Sequence, residues 1–314
     1  MNEESTSGGA DPMKARGMDA DECRSPSGTT LEIVVVTYAS EILIRSCLRS
    51  AIAHTPDGTL IRVVDNASPD NTVTIVKQEF PDVVLSVRPS NAGFAVANNV
   101  ALKHVQSPFV LLLNPDAELA PGVVDHLLTV MNEEPDAGIL GCRLVTADGT
   151  LDHAAKRFIP TPLEAGLYFA GRLVGRRVSR YTAPSVAEFG TGDVDAVNGA
   201  FMLVRRAAMD EVGLFDESFW MYGEDLDWCT RFRKAGWRVI YDGRVTAWHL
   251  KGGSAGVRSW RLNFAFHRSM VIYQRKHASS SVALRALIEV LIWAKFIATA
   301  SADAVRRRLP GRPR

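Results

Sequence analysis

Apolar residues fall along this chain in short unbroken runs that alternate with stretches of helical spacing. Leu31-Glu-Ile-Val-Val-Val-Thr37-Tyr38 is the first run. Leu60-Ile-Arg-Val-Val-Asp65, residues 83–87 and Phe109-Val-Leu-Leu-Leu113 follow. Short continuous runs ended by turn residues read as strands buried on both faces. Between the first two, Ile42, Leu43, Cys47, Leu48 and Ile52 recur at helical spacing, with Ser40 as the expected N-cap. Further helices are expected over 72–79, from Asn91-Ala-Gly93-Phe94 through His104, and over 122–132, with a strand over 138–145. Four strand–helix alternations predict an α/β protein: a doubly wound, mostly parallel central sheet with helices on both faces. Right-handed crossovers then bring Thr37, Asp65 and Asp116 to one sheet edge, where open α/β sheets bind ligands.

The pattern loosens over residues 146–192, where Gly, Pro, Arg and aromatics follow no period. A loop of that length predicts a long, partly mobile excursion, of the kind that serves as a functional lid or is disordered. Val194–Val204 reads as a strand broken at Asn198-Gly199, and 205–212 as a short helix closed by Gly213. Asp216, Glu224, Asp225 and Asp227 crowd one segment, with Phe219, Trp220 and Tyr222 just before the pair as a binding wall. A helix runs on to Lys234 with Gly236 as its stop, then Trp237–Tyr241 is a strand with His249 shortly beyond. From Ser281 to Ala300 the chain is apolar but carries Arg285, Glu289 and Lys295. Three charges argue against a spanning helix and for an amphipathic surface helix with Arg285 and Glu289 as an i, i+4 pair. With the basic residues Arg306 to Arg308, Arg312 and Arg314, it reads either as a packed C-terminal extension or as a peripheral contact with an anionic membrane.

Composition narrows the partners. The chain has 314 residues, 46% hydrophobic, with 36 basic and 35 acidic side chains. That balance gives no support to nucleic-acid binding. Cys23, Cys47, Cys142 and Cys229 are scattered without a CxxC pair, so neither a disulfide framework nor a zinc site is expected, and a reducing cytosol fits. Residues 1–30 lack an apolar segment and read as a disordered leader without a secretory signal.

The candidate chemistry sits in the turns. Asn114-Pro115-Asp116 follows the most apolar strand. It is ordinary turn chemistry and equally a carboxylate placed for metal or phosphate work. Glu224-Asp225 could cap a helix through its dipole. Like-charge crowding of the four acids is costly without a compensating cation, and Asp116 and His249 offer partner ligands. Oxygen-rich ligands suit Mg or Mn. The turn after Thr37 is Tyr38-Ala-Ser40, with no glycine-rich phosphate loop, so neither dinucleotide binding nor a P-loop is supported. The residues alone predict a metal-assisted nucleotide-binding enzyme.

Taken in order, Val-Val-Thr37-Tyr38, Asp65-Asn66-Ala-Ser68-Pro-Asp70, Asn91-Ala-Gly93-Phe94, Asn114-Pro-Asp116, Asn198-Gly-Ala-Phe and Gly223-Glu224-Asp225-Leu-Asp227 resemble the inverting family 2 glycosyltransferases of the GT-A fold, in the rhamnosyltransferase-like branch. The resemblance covers roughly residues 31–255, a nucleotide-binding half (31–145) and an acceptor-binding half (146–255), and leaves 256–314 as a helical extension. It implies a nucleotide-sugar site at Thr37, Tyr38, Asp65, Asn66, Asn91, Gly93, Asn114 and Asp116. Asn114 stands where the family's DxD motif often begins with Asp. It implies Asp116 and His249 as metal ligands, Asp225 as the base with Glu224 beside it, and Asn198, Gly199, Trp220 and Tyr222 on the acceptor side. The implied donor is dTDP- or UDP-linked, for this branch dTDP-L-rhamnose. The implied acceptor is a glycan or lipid-linked sugar, handled in the cytoplasm or at the inner membrane face. Self-association is compatible with all of this. The competing classes are a nucleotidyltransferase and a non-catalytic sugar-nucleotide-binding protein.

Overall fold

The computed structural model describes residues 29–159, 182–250, 260–277 and 281–308, with 302–308 as backbone only. The leader, the middle of the expected lid and the last basic residues lie outside the described residues. In chain order the elements are β1 (Leu31–Thr37), α1 (Ile44–Ala53), β2 (Leu60–Asp65), α2 (Thr72–Glu79), β3 (Val84–Val87), α3 (Phe94–Leu102), β4 (Phe109–Leu113), β5 (Ala117–Glu118), α4 (Val123–Glu133), β6 (Ala137–Val145), β7 (Lys156–Arg157), β8 (Thr191–Asp193), β9 (Ala196–Val197), β10 (Phe201–Arg205), α5 (Arg206–Val212), α6 (Glu224–Lys234), β11 (Arg238–His249), α7 (Trp260–His277) and α8 (Val282–Arg308).

The central sheet runs β3-β2-β1-β4-β10-β6-β11-β5, with β8 against β11. Its first four strands are parallel, and the register pairs Thr37 with Asp65. β4 is buried along its whole length, as its unbroken apolar run predicts. The second half is mixed. β10 lies antiparallel between β4 and β6, and β11 is parallel to β6. The reversal of β10 has a direct consequence. Its N-terminal end, where Asn198-Gly199 sits, falls at the same edge as the C-terminal end of β4. The Asn114 amide donates to the Ala200 carbonyl at 2.9 Å.

β11 runs further than the expected strand because the ladder with β6 is irregular between Asp242 and Thr246 and then resumes. Its extension pairs antiparallel with β5, setting His249 opposite Ala117. α1 starts at Ile44, and Ser40 closes the preceding turn through its carbonyl instead of capping the helix with its side chain. Trp228 and Phe232 of α6 are fully buried in the core, so the helix that carries the acidic pair is anchored from below. Cys47, Cys142 and Cys229 are free and buried.

Candidate active site

The edge formed by the ends of β1, β2 and β4 carries three clusters. The first is built around Asp65. Its Oδ1 accepts from the Thr37 hydroxyl at 2.9 Å and from the Ser68 hydroxyl, and its Oδ2 accepts from the Ser68 amide at 2.9 Å. Three of the roughly four acceptor positions of a carboxylate are thereby used, which leaves one on Oδ2 for a ligand. Asn66 ties this turn to the next one. Its amide nitrogen donates to Asn91 Oδ1 at 2.9 Å and to the Gly93 carbonyl at 3.1 Å. Tyr38 is exposed beside them. Ala39 and Ala67 hold φ of +53° and +63°, a left-handed backbone that costs a non-glycine residue about 1 kcal/mol or more, and both lie two residues beyond Thr37 and Asp65. The Ala39 amide donates to the Ser68 hydroxyl at 3.0 Å, so the two strained turns hold each other.

The second cluster joins Asp116 to His249. β5 turns back along β11 just after Asp116, which sets Asp116 Oδ1 3.4 Å from His249 Nε2. The other ring nitrogen, Nδ1, lies 2.7 Å from Asp152 Oδ2, and Asp152 is fully buried. Burial opposes the charge on this imidazole. Asp116 and Asp152 outweigh it and push His249 up to about 9. An imidazole oriented by a carboxylate on one nitrogen, with the other facing a second carboxylate, suits a divalent ion that displaces the Nε2 proton on binding. Asn114, two residues before Asp116, is half-buried.

The third cluster surrounds Asp225. Its Oδ2 accepts from Arg157 Nη2 at 2.6 Å and from the Gly199 amide at 3.2 Å, while Oδ1 accepts, among the described residues, only the adjacent Leu226 amide at 2.8 Å. Gly199 packs close beside Asp225, whose Cβ would be 3.4 Å from a Cβ added there. Asn198 donates to Asp152 Oδ2 at 3.1 Å. A continuous chain of polar contacts therefore runs Asp116–His249–Asp152–Asn198, and Gly199 carries it to Asp225. The acidic corners share one edge of the molecule. They are joined through protein groups, and Asp225 is committed to Arg157 in place of a cation shared with Asp116.

Glu224 differs from its neighbour. It is buried, Oε2 finds no hydrogen-bond partner, and burial followed by the Asp225 charge pushes its carboxyl up to about 8. Burial and the Asp225 charge both favour its neutral form. Tyr222 and Gly223, at φ of +69° and +82°, deliver the pair onto the helix.

The aromatic wall separates into parts. Phe219 is fully buried in the interior, whereas Trp220 and Tyr222 are half-buried at the surface. Trp220 meets the start of α3: its carbonyl accepts from the Phe94 amide at 2.8 Å, across Gly93. Asp216 and Asp227 do not join the site. Asp227 is met by Arg231 at 2.9 Å, Lys276 at 2.9 Å and His277 at 2.7 Å, and Asp216 by Lys276 at 2.6 Å. The cation that crowding demanded is thus supplied by α6 and α7. Asp152 and Arg157 were missed from the sequence. Both lie where no periodicity marks which side chains turn inward.

The sequence profile of "Glycosyl transferase family 2" matches residues 32–213, more than half the chain. The chain belongs to glycosyl transferase family 2. Among curated relatives, it is 29% identical to the N-acetylglucosaminyl-diphospho-decaprenol L-rhamnosyltransferase of Mycobacterium tuberculosis H37Rv, over 77% of this chain and 83% of that protein. It is 28% identical to the rhamnosyltransferase WbbL of Escherichia coli K12, over 50% and 59% respectively. The fold is similar to the mannosyltransferase PcManGT from Pyrobaculum calidifontis, solved with GDP-Man and Mn2+, at a TM-score of 0.55 and 18% identity over 90% of this chain and 76% of that one. It is similar also to Staphylococcus aureus TarS 1–349, at 0.54 and 17% over 83% and 69%. This family 2 chain is a glycosyltransferase with an α/β fold and a C-terminal helical extension. Asp225 and His249 lie C-terminal to the matched stretch, so their placement comes from the sheet and α6.

Among the described residues no group of three His, Cys, Asp or Glu side chains is arranged to hold a metal ion by itself. Asp116 and His249 make a two-donor set, and hard divalent ions at phosphate sites ordinarily take their remaining ligands from phosphate oxygens and water. The residues fit such an ion on those terms.

Proposed function

We propose that this glycosyltransferase moves a deoxysugar of the L-rhamnose class from a nucleoside diphosphate to a hydroxyl of a lipid-linked glycan, with inversion. The donor and acceptor classes are supported by the two rhamnosyltransferase relatives, one of which is named for a diphospho-decaprenol acceptor. Inversion follows from a single displacement with Asp225 as the base. The observation that carries this role is the division of labour between its two oxygens. Oδ2 is held by Arg157 and the Gly199 amide, which fixes the carboxylate in place. Oδ1 keeps acceptor capacity for an incoming hydroxyl. The acceptor's proton passes to Oδ1 as its oxygen bonds to the anomeric carbon. The bond from that carbon to the diphosphate breaks, and the electron pair leaves with the diphosphate. Neutral Glu224 supplies no competing base.

On the donor side, Thr37 and Asp65 face the nucleoside through the acceptor position left on Asp65 Oδ2. Asn66, Asn91 and Gly93 shape the wall beside it. Asp116 and His249 would hold a Mg or Mn ion, whose contribution is to offset charge on the departing diphosphate.

The test is a product assay with the full chain, Mn, dTDP-L-rhamnose or UDP-sugars, and N-acetylglucosaminyl-diphospho-polyprenol. The expected result is a rhamnosylated product. Asp225→Asn should turn over at least about a hundredfold more slowly yet keep its donor-induced protection from thermal unfolding. Product from UDP-sugars alone would overturn the donor class. Undiminished turnover by Asp225→Asn would overturn its role.

A further inference from the structure

We infer that the outward face of α8 is a docking surface for an anionic lipid bilayer, lying flat on it without crossing. A surface helix ordinarily turns apolar residues inward and charges outward. α8 departs from this, being apolar on its outer face as well as on the inner one, where Ile292 is buried. Its one acidic side chain with described contacts, Glu289, points at α7 and pairs with Arg275 at 2.6 Å. Trp293 and Phe296 also face α7, stacking on Phe264 at 5.5 and 5.8 Å. The opposite face is left with Val282, Leu284, Leu287, Val290, Leu291 and Ile297, each between 40 and 76% exposed. At about 1.5 Å of rise per residue this stripe is roughly 22 Å long. No described helix is long and apolar enough to cross a membrane, which leaves the interfacial, in-plane arrangement.

Charge selects the occupant. Residues 256–314 contain twelve Lys and Arg against two acids, a net of +10, while residues 1–255 carry 24 basic and 33 acidic residues, a net of −9. The near-neutral total hides this division. A strongly basic segment beside an apolar stripe is attracted to anionic headgroups. A second copy of the same segment would meet it with like charge. The surface is also wired to the acidic corner. On α7, Arg268 donates to the Ser218 carbonyl at 3.0 Å and Ser269 to the Met221 carbonyl at 3.1 Å. The inference concerns binding alone and stands whether or not the donor sugar is rhamnose.

The experiment is vesicle flotation of the full chain with phosphatidylcholine vesicles, with and without phosphatidylglycerol. It includes the double variant Leu287→Glu/Val290→Glu, whose sites are exposed, and sedimentation of both proteins without lipid. The expected result is partition onto the phosphatidylglycerol vesicles, suppressed by high salt. The double variant should partition at least about tenfold less with an unchanged unfolding temperature. Equal partition of the double variant, or no dependence on phosphatidylglycerol, would overturn the inference. So would a self-associated species that the double variant disperses, since the stripe would then be an interface between copies.

Discussion

Glu224→Gln separates a neutral buried acid from an ionised one, and its effect has a sign and a size. The wild-type carboxyl titrates near 4.5 in the unfolded chain and is pushed up to about 8 in the fold. Between those values the folded state holds a proton that the unfolded state has lost. Stability must therefore fall as pH rises through that window. At about 1.4 kcal/mol per pH unit, the loss between pH 5 and pH 8 is on the order of 3–4 kcal/mol, a large part of a typical domain's 5–15 kcal/mol. Glutamine is the neutral isostere and carries no such dependence. Glu224→Gln should match the wild type closely near pH 5 and exceed it by about 3 kcal/mol or more at pH 8. Urea unfolding at several pH values, followed by tryptophan fluorescence, measures it, with the buried Trp228 on the same helix as a reporter. The difference between the two proteins removes the titrating groups that do not interact with Glu224, leaving Glu224 and its neighbour Asp225. A difference that stays flat from pH 5 to pH 8 would refute the assignment of Glu224 as a neutral acid.

Two further outcomes test the frame of the site. Asp227→Asn strands Arg231, Lys276 and His277 around a buried position and should cost about 3–5 kcal/mol in urea unfolding. Burial works against the charge of Asp227, but those three partners hold its carboxyl below the ordinary range. Its contribution in the wild type is present above about pH 4 and is lost only on stronger acidification. Gly93→Ala puts a Cβ at φ +94° and 2.6 Å from Trp220 Cδ1, and should lower stability by about 2–4 kcal/mol, read as a drop in unfolding temperature.

Much of this fold is legible from local pattern. β1, β2 and β4 are continuous apolar runs because both their faces are buried, and parallel crossovers then place their ends together. Strand direction in the second half is not legible. Phe201–Arg205 reads as a strand either way round, and only pairing with β4 and β6 makes it antiparallel. Asp116, His249 and Asp225 could be singled out because they follow recognisable elements. Asp152 and Arg157 could not, since burial there depends on partners distant in sequence, His249 and Asp225. Glu289 shows the limit of a local rule. Its i, i+4 neighbour Arg285 is available, but the neighbouring helix offers Arg275.

With donor and acceptor on the sides proposed above, the seam at Gly93 would couple their occupancy. The Phe94 amide and the Trp220 carbonyl meet backbone to backbone, and no side chain of Gly93 cushions the junction. A donor that moved the 91–93 turn would then press on Trp220, and an acceptor against Trp220 would be felt at the 91–93 turn. Such cross-talk is reciprocal by thermodynamic necessity. Whatever factor one substrate gains from the other's presence, the second must gain equally.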